Sequence, residues 1–273
     1  MFTVSGFADE ISADLETQLD TLERLGIEYL DLRGVGDTNV LDFSDEQVER
    51  VRGALDERDI GVTSIGSPIG KIPVEEAFDP HFERFRTAVE RAGQFDTEYV
   101  RLFSYYTDDP ETHRGEVMRR MERKAAYAEE AGVTLLLENE KDLYGDTPGR
   151  CRDVLKAVDS PNLRAAFDPA NYLEIGVEAY PDALLQVVEY VEALHIKDAT
   201  KGERGAIEPP GEGDGHIPEL LAAMAARGFE GAASLEPHLA EAGKKGGFSG
   251  PEAYGRAARA LEDCFEAAGV AYR

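Results

Sequence analysis

Four apolar runs in the C-terminal half of this 273-residue chain each end on a side chain able to ligate a metal. TLLLEN (134–139) reaches Glu138, RAAFDP (164–169) reaches Asp168, ALHIKD (193–198) reaches His195 and AASLEP (232–237) reaches Glu236. Burying a carboxylate or imidazole costs several kcal/mol unless it is paired or bound. One such ending is ordinary; four in succession point to a shared partner. Three carboxylates and one imidazole suit a borderline-to-hard divalent cation with open coordination positions: Mn²⁺ first, then Mg²⁺, Co²⁺ or Zn²⁺. The absence of thiolates from the set speaks against structural zinc. Period-two alternation places Lys197 on the side of His195, Glu140 on that of Glu138, and His238 on that of Glu236. Lys197 suits a substrate carboxylate or oxyanion, or a structural pair with Asp198 or Glu236. Asp31 and Arg33 end YLDLRG (29–34), and Arg101 lies in YVRLFSY (99–105). Each arginine suits either a grip on a carboxylate or phosphate or an ordinary barrel ion pair. His238 suits substrate contact or a supporting hydrogen bond.

Such residues converge only if their strands stand side by side. Apolar alternation predicts eight strands: the seven runs at 29–34, 62–67, 99–105, 134–139, 164–169, 193–198 and 232–237, preceded by FTVSGFA (2–8). Amphipathic segments alternate with them at 12–25, 45–59, 80–93, 111–131, 148–158, 180–190, 217–227 and 251–268. Ser44, and Thr147 followed by Pro148, are sensible helix starts. LGI, AGV and RGF place a glycine at helix ends. Eight βα units predict a (β/α)8 TIM barrel in a single domain, residues 1–273. A doubly wound sheet is the weaker alternative, because GVGDTN lacks the dinucleotide spacing. In a barrel the C-terminal strand ends carry the site, which predicts a polar bowl above an apolar barrel.

Composition bounds the partners. The chain has 55 acidic and 29 basic residues, a net charge of −26. That repulsion is tolerable where salt near 1 M shortens the Debye length to about 3 Å, which predicts a halophilic, salt-rich cytoplasm. A nucleic-acid partner is disfavoured by the missing basic footprint. No apolar run approaches a membrane span, and the N-terminus lacks signal-peptide character. Cys151 and Cys264 are expected to be reduced thiols. The expected partner is a small sugar or sugar acid, and a homo-oligomer is compatible with the sequence.

The motifs LLLENE (135–140), FDPANY (167–172), LHIKDA (194–199), GEGDGHIPELL (211–221) and SLEPH (234–238) resemble the xylose isomerase-like TIM-barrel superfamily. That group holds tagatose-type 3-epimerases, hydroxypyruvate isomerases and inosose dehydratases, with endonuclease IV as a distant branch. GFADEIS (6–12), YLDLRGV (29–35) and SIGSPIGKI (64–72) resemble a bacterial and archaeal subgroup of sugar phosphate isomerases/epimerases. The resemblance implies that Glu138, Asp168, His195 and Glu236 bind the metal. It further implies that Glu138 and Glu236 move protons during isomerisation or epimerisation through an enediolate. Two departures are visible. Asn171 stands where the epimerase pattern has a histidine, and it can bond a hydroxyl but cannot relay a proton. Glu140 stands where strand five often continues with a histidine. A dehydratase of the inosose or dehydroshikimate type is therefore the alternative, and a non-catalytic sugar-binding barrel a weaker one. Five histidines are too few for the trinuclear site of endonuclease IV.

His81 and His113 fall on helical patterns with polar neighbours and are expected at the solvated surface. His216 is expected to cap a helix or contact a loop. GSPIGK (66–71) reads as a loop whose backbone can approach a ligand. AGKKGGFSGPE (242–252) reads as a lid or solvated loop, or as a phosphate site after the last strand.

Overall fold

The computed structural model describes residues 1–239 and 249–273, so most of the 242–252 segment lies outside the described residues. Eight barrel strands are present: β1 (Thr3–Gly6), β2 (Tyr29–Leu32), β3 (Gly61–Ile65), β4 (Tyr99–Leu102), β5 (Thr134–Glu138), β6 (Leu163–Phe167), β7 (Val191–Ile196) and β8 (Ala232–Leu235). They pair in parallel in the order β1-β8-β7-β6-β5-β4-β3-β2. The two end strands face each other without a backbone ladder, and Ser5 Oγ of β1 donates to Asp31 Oδ2 of β2 at 2.8 Å across the seam. The fold is the predicted TIM barrel, nearly closed.

Helices α1 (Leu15–Leu25), α2 (Asp45–Asp56), α3 (Phe78–Gln94), α4 (Pro110–Ala131) and α5 (Pro148–Val158) form where the amphipathic pattern predicts them. Asp14, Ser44, Asp109 and Thr147 each accept a backbone N–H of the first turn, and Ser44 completes a capping box with Gln47. Two short helices follow, α6 (Pro169–Leu173) and α7 (Leu184–Val187), then α8 (Ile217–Ala226) and α9 (Gly250–Ala268). The single helix expected at 180–190 is broken. Pro181 holds Tyr180 in an extended conformation, and only the turns after it are helical.

Alternation sorts the strand residues as expected. Leu135, Leu137, Leu194 and Ile196 join the large core between strands and helices, whereas Leu136, Ala166 and Ala193 form a separate small cluster inside the barrel. Each fully buried leucine or isoleucine contributes about 1.5–3 kcal/mol. The barrel interior is not the apolar plug expected from the sequence. Ser5, Asp31, Ser64 and Ser234 are all buried, and Asp31 accepts hydrogen bonds from both Ser5 and Ser64. Asp31 thus belongs to this interior layer, on a second cavity shared with Tyr29, Thr63 and Tyr99, and not to the C-terminal bowl. Hydroxyl donors offset the burial of its carboxylate.

His81 also departs from expectation. It is only 8% exposed, and its Nε2 accepts the Gly70 N–H at 2.9 Å. Burial, with Lys124, Arg120 and Arg84 nearby, pushes its pKa down to about 3. The unfolded chain, with histidine near 6.5, takes up this proton first, so stability falls as pH drops from about 6.5 towards 3. In thermal melts across that window, His81→Gln is expected to lose less Tm per pH unit than the parent. An identical slope in the two proteins would refute the assignment. His113, by contrast, is half-buried, with Nδ1 2.7 Å from Thr107 Oγ1.

Candidate active site

Glu138 closes β5, Asp168 follows β6, His195 lies within β7 and Glu236 follows β8, so four adjacent staves deliver four side chains to one end of the barrel. One ligand atom from each lies within 4.8 Å of the others, and all four residues are buried. The strand ends are locked by side chains that mimic the ladder. Asn139 Nδ2 donates to the Asp168 carbonyl at 2.8 Å while the Asp168 N–H donates back to Asn139 Oδ1 at 2.9 Å. Asp168 Oδ1 also accepts the Asn171 N–H and so starts α6. The Asn171 side chain donates to the Asn139 carbonyl (2.9 Å) and to Glu138 Oε1 (3.3 Å). Asn171 therefore orients Glu138.

The cluster is dense in charge. Arg101 Nη1 donates to Glu138 Oε2 at 3.1 Å and lies 3.7 Å from Glu236 Oε1. Lys197 Nζ bridges Asp168 Oδ2 (2.5 Å) and Glu236 Oε2 (2.8 Å). Arg33 reaches Asp9 (2.6 Å), Glu10 (3.3 Å) and Glu236 (2.7 Å). Phe7 takes both guanidinium groups over its ring at 4.9 Å and meets the His195 ring edge-on at 5.2 Å. Burial works against the Glu138 carboxylate, but His195 and Arg101 outweigh it and hold the pKa at about 2. Glu236 lies well below the usual carboxylate range: burial opposes this, and Lys197, His238 and Arg33 prevail. Burial raises Asp168 to about 6 despite Lys197, with Glu138 and Glu236 adding to the rise.

Among the described residues neither ring nitrogen of His195 makes a well-aligned hydrogen bond, although the side chain is fully buried and Nδ1 lies 3.2 Å from Glu138 Oε2. A buried polar atom left unpaired costs about 1–3 kcal/mol. An imidazole stripped of water beside three carboxylate oxygens fits a divalent cation, so these four residues could hold one.

A cavity of about 390 Å³ opens above the cluster, lined by Glu138, Glu236, Lys197, Arg101 and Arg33 and by Asn171, Glu140 and His238. Every residue expected at the site is thus brought together. Glu140 accepts from Lys71 Nζ (3.0 Å), and His238 packs its ring against Glu10 (3.1 Å) and Glu236 (3.4 Å). Lys197 pairs with Glu236, not with Asp198. The Asp198 carboxylate instead gathers the backbone N–H groups of Ala199, Gly211, Gly213 and Gly215 at 2.8–3.1 Å. A Cβ at Gly213 or Gly215 would meet Asp198 Oδ1 at 2.6 Å, which accounts for the last two glycines of GEGDG. His216 stands at the start of α8 but makes no side-chain cap bond. Asp198→Asn turns one acceptor oxygen into a donor facing these amides and is expected to cost about 2 kcal/mol or more. Thermal unfolding and faster proteolysis within 209–216 would register it, and an unchanged Tm would contradict it.

The family model for the xylose isomerase-like TIM barrel matches residues 19–264. The chain belongs to that family. No curated protein sequence matches this xylose isomerase-like barrel. Solved structures share its fold at low identity. The probable 3-DHS dehydratase AsbF from Bacillus anthracis, involved in petrobactin synthesis, is 19% identical with a TM-score of 0.75, covering 96% of this chain and 99% of its own. D-Psicose 3-epimerase from Clostridium cellulolyticum H10, solved with D-tagatose, is 17% identical at TM-score 0.74, with 98% and 99% covered. A xylose isomerase-like barrel from Mycobacterium smegmatis, solved with magnesium, is 16% identical at TM-score 0.73, with 98% and 97% covered.

Sequence reading of this xylose isomerase-like barrel missed Phe7, Asp9, Glu10, Phe103, Lys141 and Glu174. The first three follow β1 directly, so their place at the bowl was readable from strand position. Lys141 and Glu174 pair with each other (2.7 Å) from the loops after β5 and β6, and no spacing rule announces such a contact. Cys151 and Cys264 are free and buried, as expected of reduced thiols. Among the described residues no helix is long and apolar enough to cross a membrane.

Proposed function

We propose that this barrel is a divalent-metal-dependent isomerase or epimerase of a sugar or sugar acid, acting through an enediolate with Glu138 and Glu236 as acid and base. The observation that carries the reading is the pair of buried glutamates lining one cavity, with the buried His195 imidazole beside them, Nδ1 3.2 Å from Glu138 and Nε2 without a hydrogen bond among the described residues. Glu138, Asp168, His195 and Glu236 would hold the cation, with Mn²⁺ our first choice as native metal in a salt-rich cytoplasm. When bound, it supplies a Lewis acid for a carbonyl beside the reacting carbon. One glutamate removes the proton next to that carbonyl and the other returns one. Asn171 and Arg101 fix the Glu138 carboxylate, and Arg33 and Lys197 fix Glu236. His238, Glu140, Arg101, Arg33 and Lys197, all on the cavity lining, would contact substrate hydroxyl or anionic groups.

A dehydratase on an acidic substrate is the second reading. Its support is the set of cations on the cavity, namely Arg33, Lys71, Arg101, Lys141 and Lys197, in a chain of net charge −26. Elimination begins with the same proton removal, so product analysis separates the two. Ketoses, hydroxypyruvate, inosose and dehydroshikimate are incubated with the Mn²⁺ enzyme in D₂O at high salt. Deuterium entering beside the carbonyl, with mass otherwise conserved, supports isomerisation. Loss of water supports the dehydratase, and neither outcome on any substrate counts against both.

A further inference from the structure

Behind the loop that carries Lys71 to the cavity, α3 and α4 enclose a second group of charged side chains. Arg120 and Lys124 lie one turn apart on α4, and both face Tyr105, with guanidinium and ammonium 5.2 and 4.4 Å from its ring centroid. The His81 ring of α3 lies 5.8 Å from the same phenol. Lys124 and Tyr105 are fully buried and Arg120 is 4% exposed.

Three donors in this group have no acceptor: Lys124 Nζ, the Tyr105 hydroxyl and Arg120 Nη1. The rest of the Arg120 fork is satisfied, Nε by Glu116 (2.5 Å) and Nη2 by the Glu76 carbonyl (2.8 Å). His81 Nε2 already serves Gly70. Among the described residues Glu116 is the one carboxylate bonded to Arg120, and it also takes Arg119, so an ionised Lys124 leaves the group with positive charge in excess. An uncompensated buried charge costs several kcal/mol.

We infer that Arg120, Lys124 and Tyr105 form a buried binding site for a small monovalent anion, a halide such as chloride. Excess positive charge and three unpartnered donors grouped around one phenol suit a halide. A sulfate or phosphate would bring four oxygens to three donors. Burial, with Arg120 beside it, lowers the Lys124 pKa well below its ordinary value, the direction expected of an ammonium that lacks its counterion. His81 meets the same phenol and holds the Gly70 N–H, so the group stands behind the segment that presents Lys71 to Glu140.

Crystals of the metal-loaded protein grown in bromide test this directly. An anomalous peak in contact with Lys124 Nζ and Arg120 Nη1 is the expected result. In parallel, Tm is measured at fixed potassium and metal concentration with chloride, bromide or gluconate as anion. Both halides are expected to raise Tm by several degrees in a saturable manner, and Lys124→Met to abolish the difference. If that variant does not fold, Tyr105→Phe, with a weakened halide response, takes its place. The site is overturned by bromide peaks confined to the surface, by an undiminished halide response in the variants, or by ¹⁵N-lysine spectra showing a neutral Lys124 amine in chloride.

Discussion

Glu236→Gln is expected to lower kcat by about 10²–10⁴-fold, the usual range for a positioned general acid or base. The amide keeps the shape of the side chain but can neither take nor return a proton. Glu138→Gln is expected to do the same, and the pair of variants separates proton removal from proton return. With one glutamate intact, deuterium from solvent still enters substrate on the face that glutamate serves, while net conversion stops. Glu236 also neutralises Arg33 and Lys197, at 2.7 and 2.8 Å. Circular dichroism and Tm must therefore accompany the kinetics, because breaking a buried pair costs about 3–5 kcal/mol. A folded Glu236→Gln protein with full turnover and full exchange would sink the two-carboxylate mechanism.

Stripping the divalent ion is expected to abolish turnover and to lower Tm, with Mn²⁺ restoring both. At free metal about a thousand times Kd, binding adds roughly 4 kcal/mol to the folded state, equivalent to a Tm shift on the order of 10 °C in a chain of this size. The stripped protein should stay folded, because Lys197 already bridges Asp168 and Glu236. His195→Ala removes the one nitrogen among the four proposed ligands, and its Tm should no longer respond to Mn²⁺. Elemental analysis is the plainest check: a chelator-free preparation with neither bound ion nor affinity for one contradicts the metal site.

Much of this was legible in the chain. Glu138, Asp168, His195 and Glu236 announce themselves because each terminates an apolar run, and period-two alternation carries the rule to Glu140, Lys197 and His238. Barrel topology then brings the ends together without any special local signal. What stayed hidden depends on long-range pairing. The sequence neighbour Asp198 looked like a partner for Lys197, but alternation turns it away from the bowl, where four amides claim it. His81 looked exposed because its sequence neighbours are polar, yet its face of α3 is covered by Gly70 and Tyr105. Asp31 has a charge that suggested the bowl, and only the hydroxyls of Ser5 and Ser64 explain its place inside the barrel.

The unpaired seam between β1 and β2 has a mechanical consequence. Glu138, Asp168, His195 and Glu236 all come from one run of paired strands, β5 to β8, whose ladder shifts register once, between Ala165 and Ala166, so backbone hydrogen bonds hold their mutual spacing. Compliance is concentrated on the opposite arc, where side chains alone join the two edges. A widening or narrowing of the mouth there would leave the spacing of Glu138, Asp168 and His195 unchanged. Arg33, rooted just past β2 and bonded to Glu236 across that seam, is the tether that transmits such a movement to the chemistry.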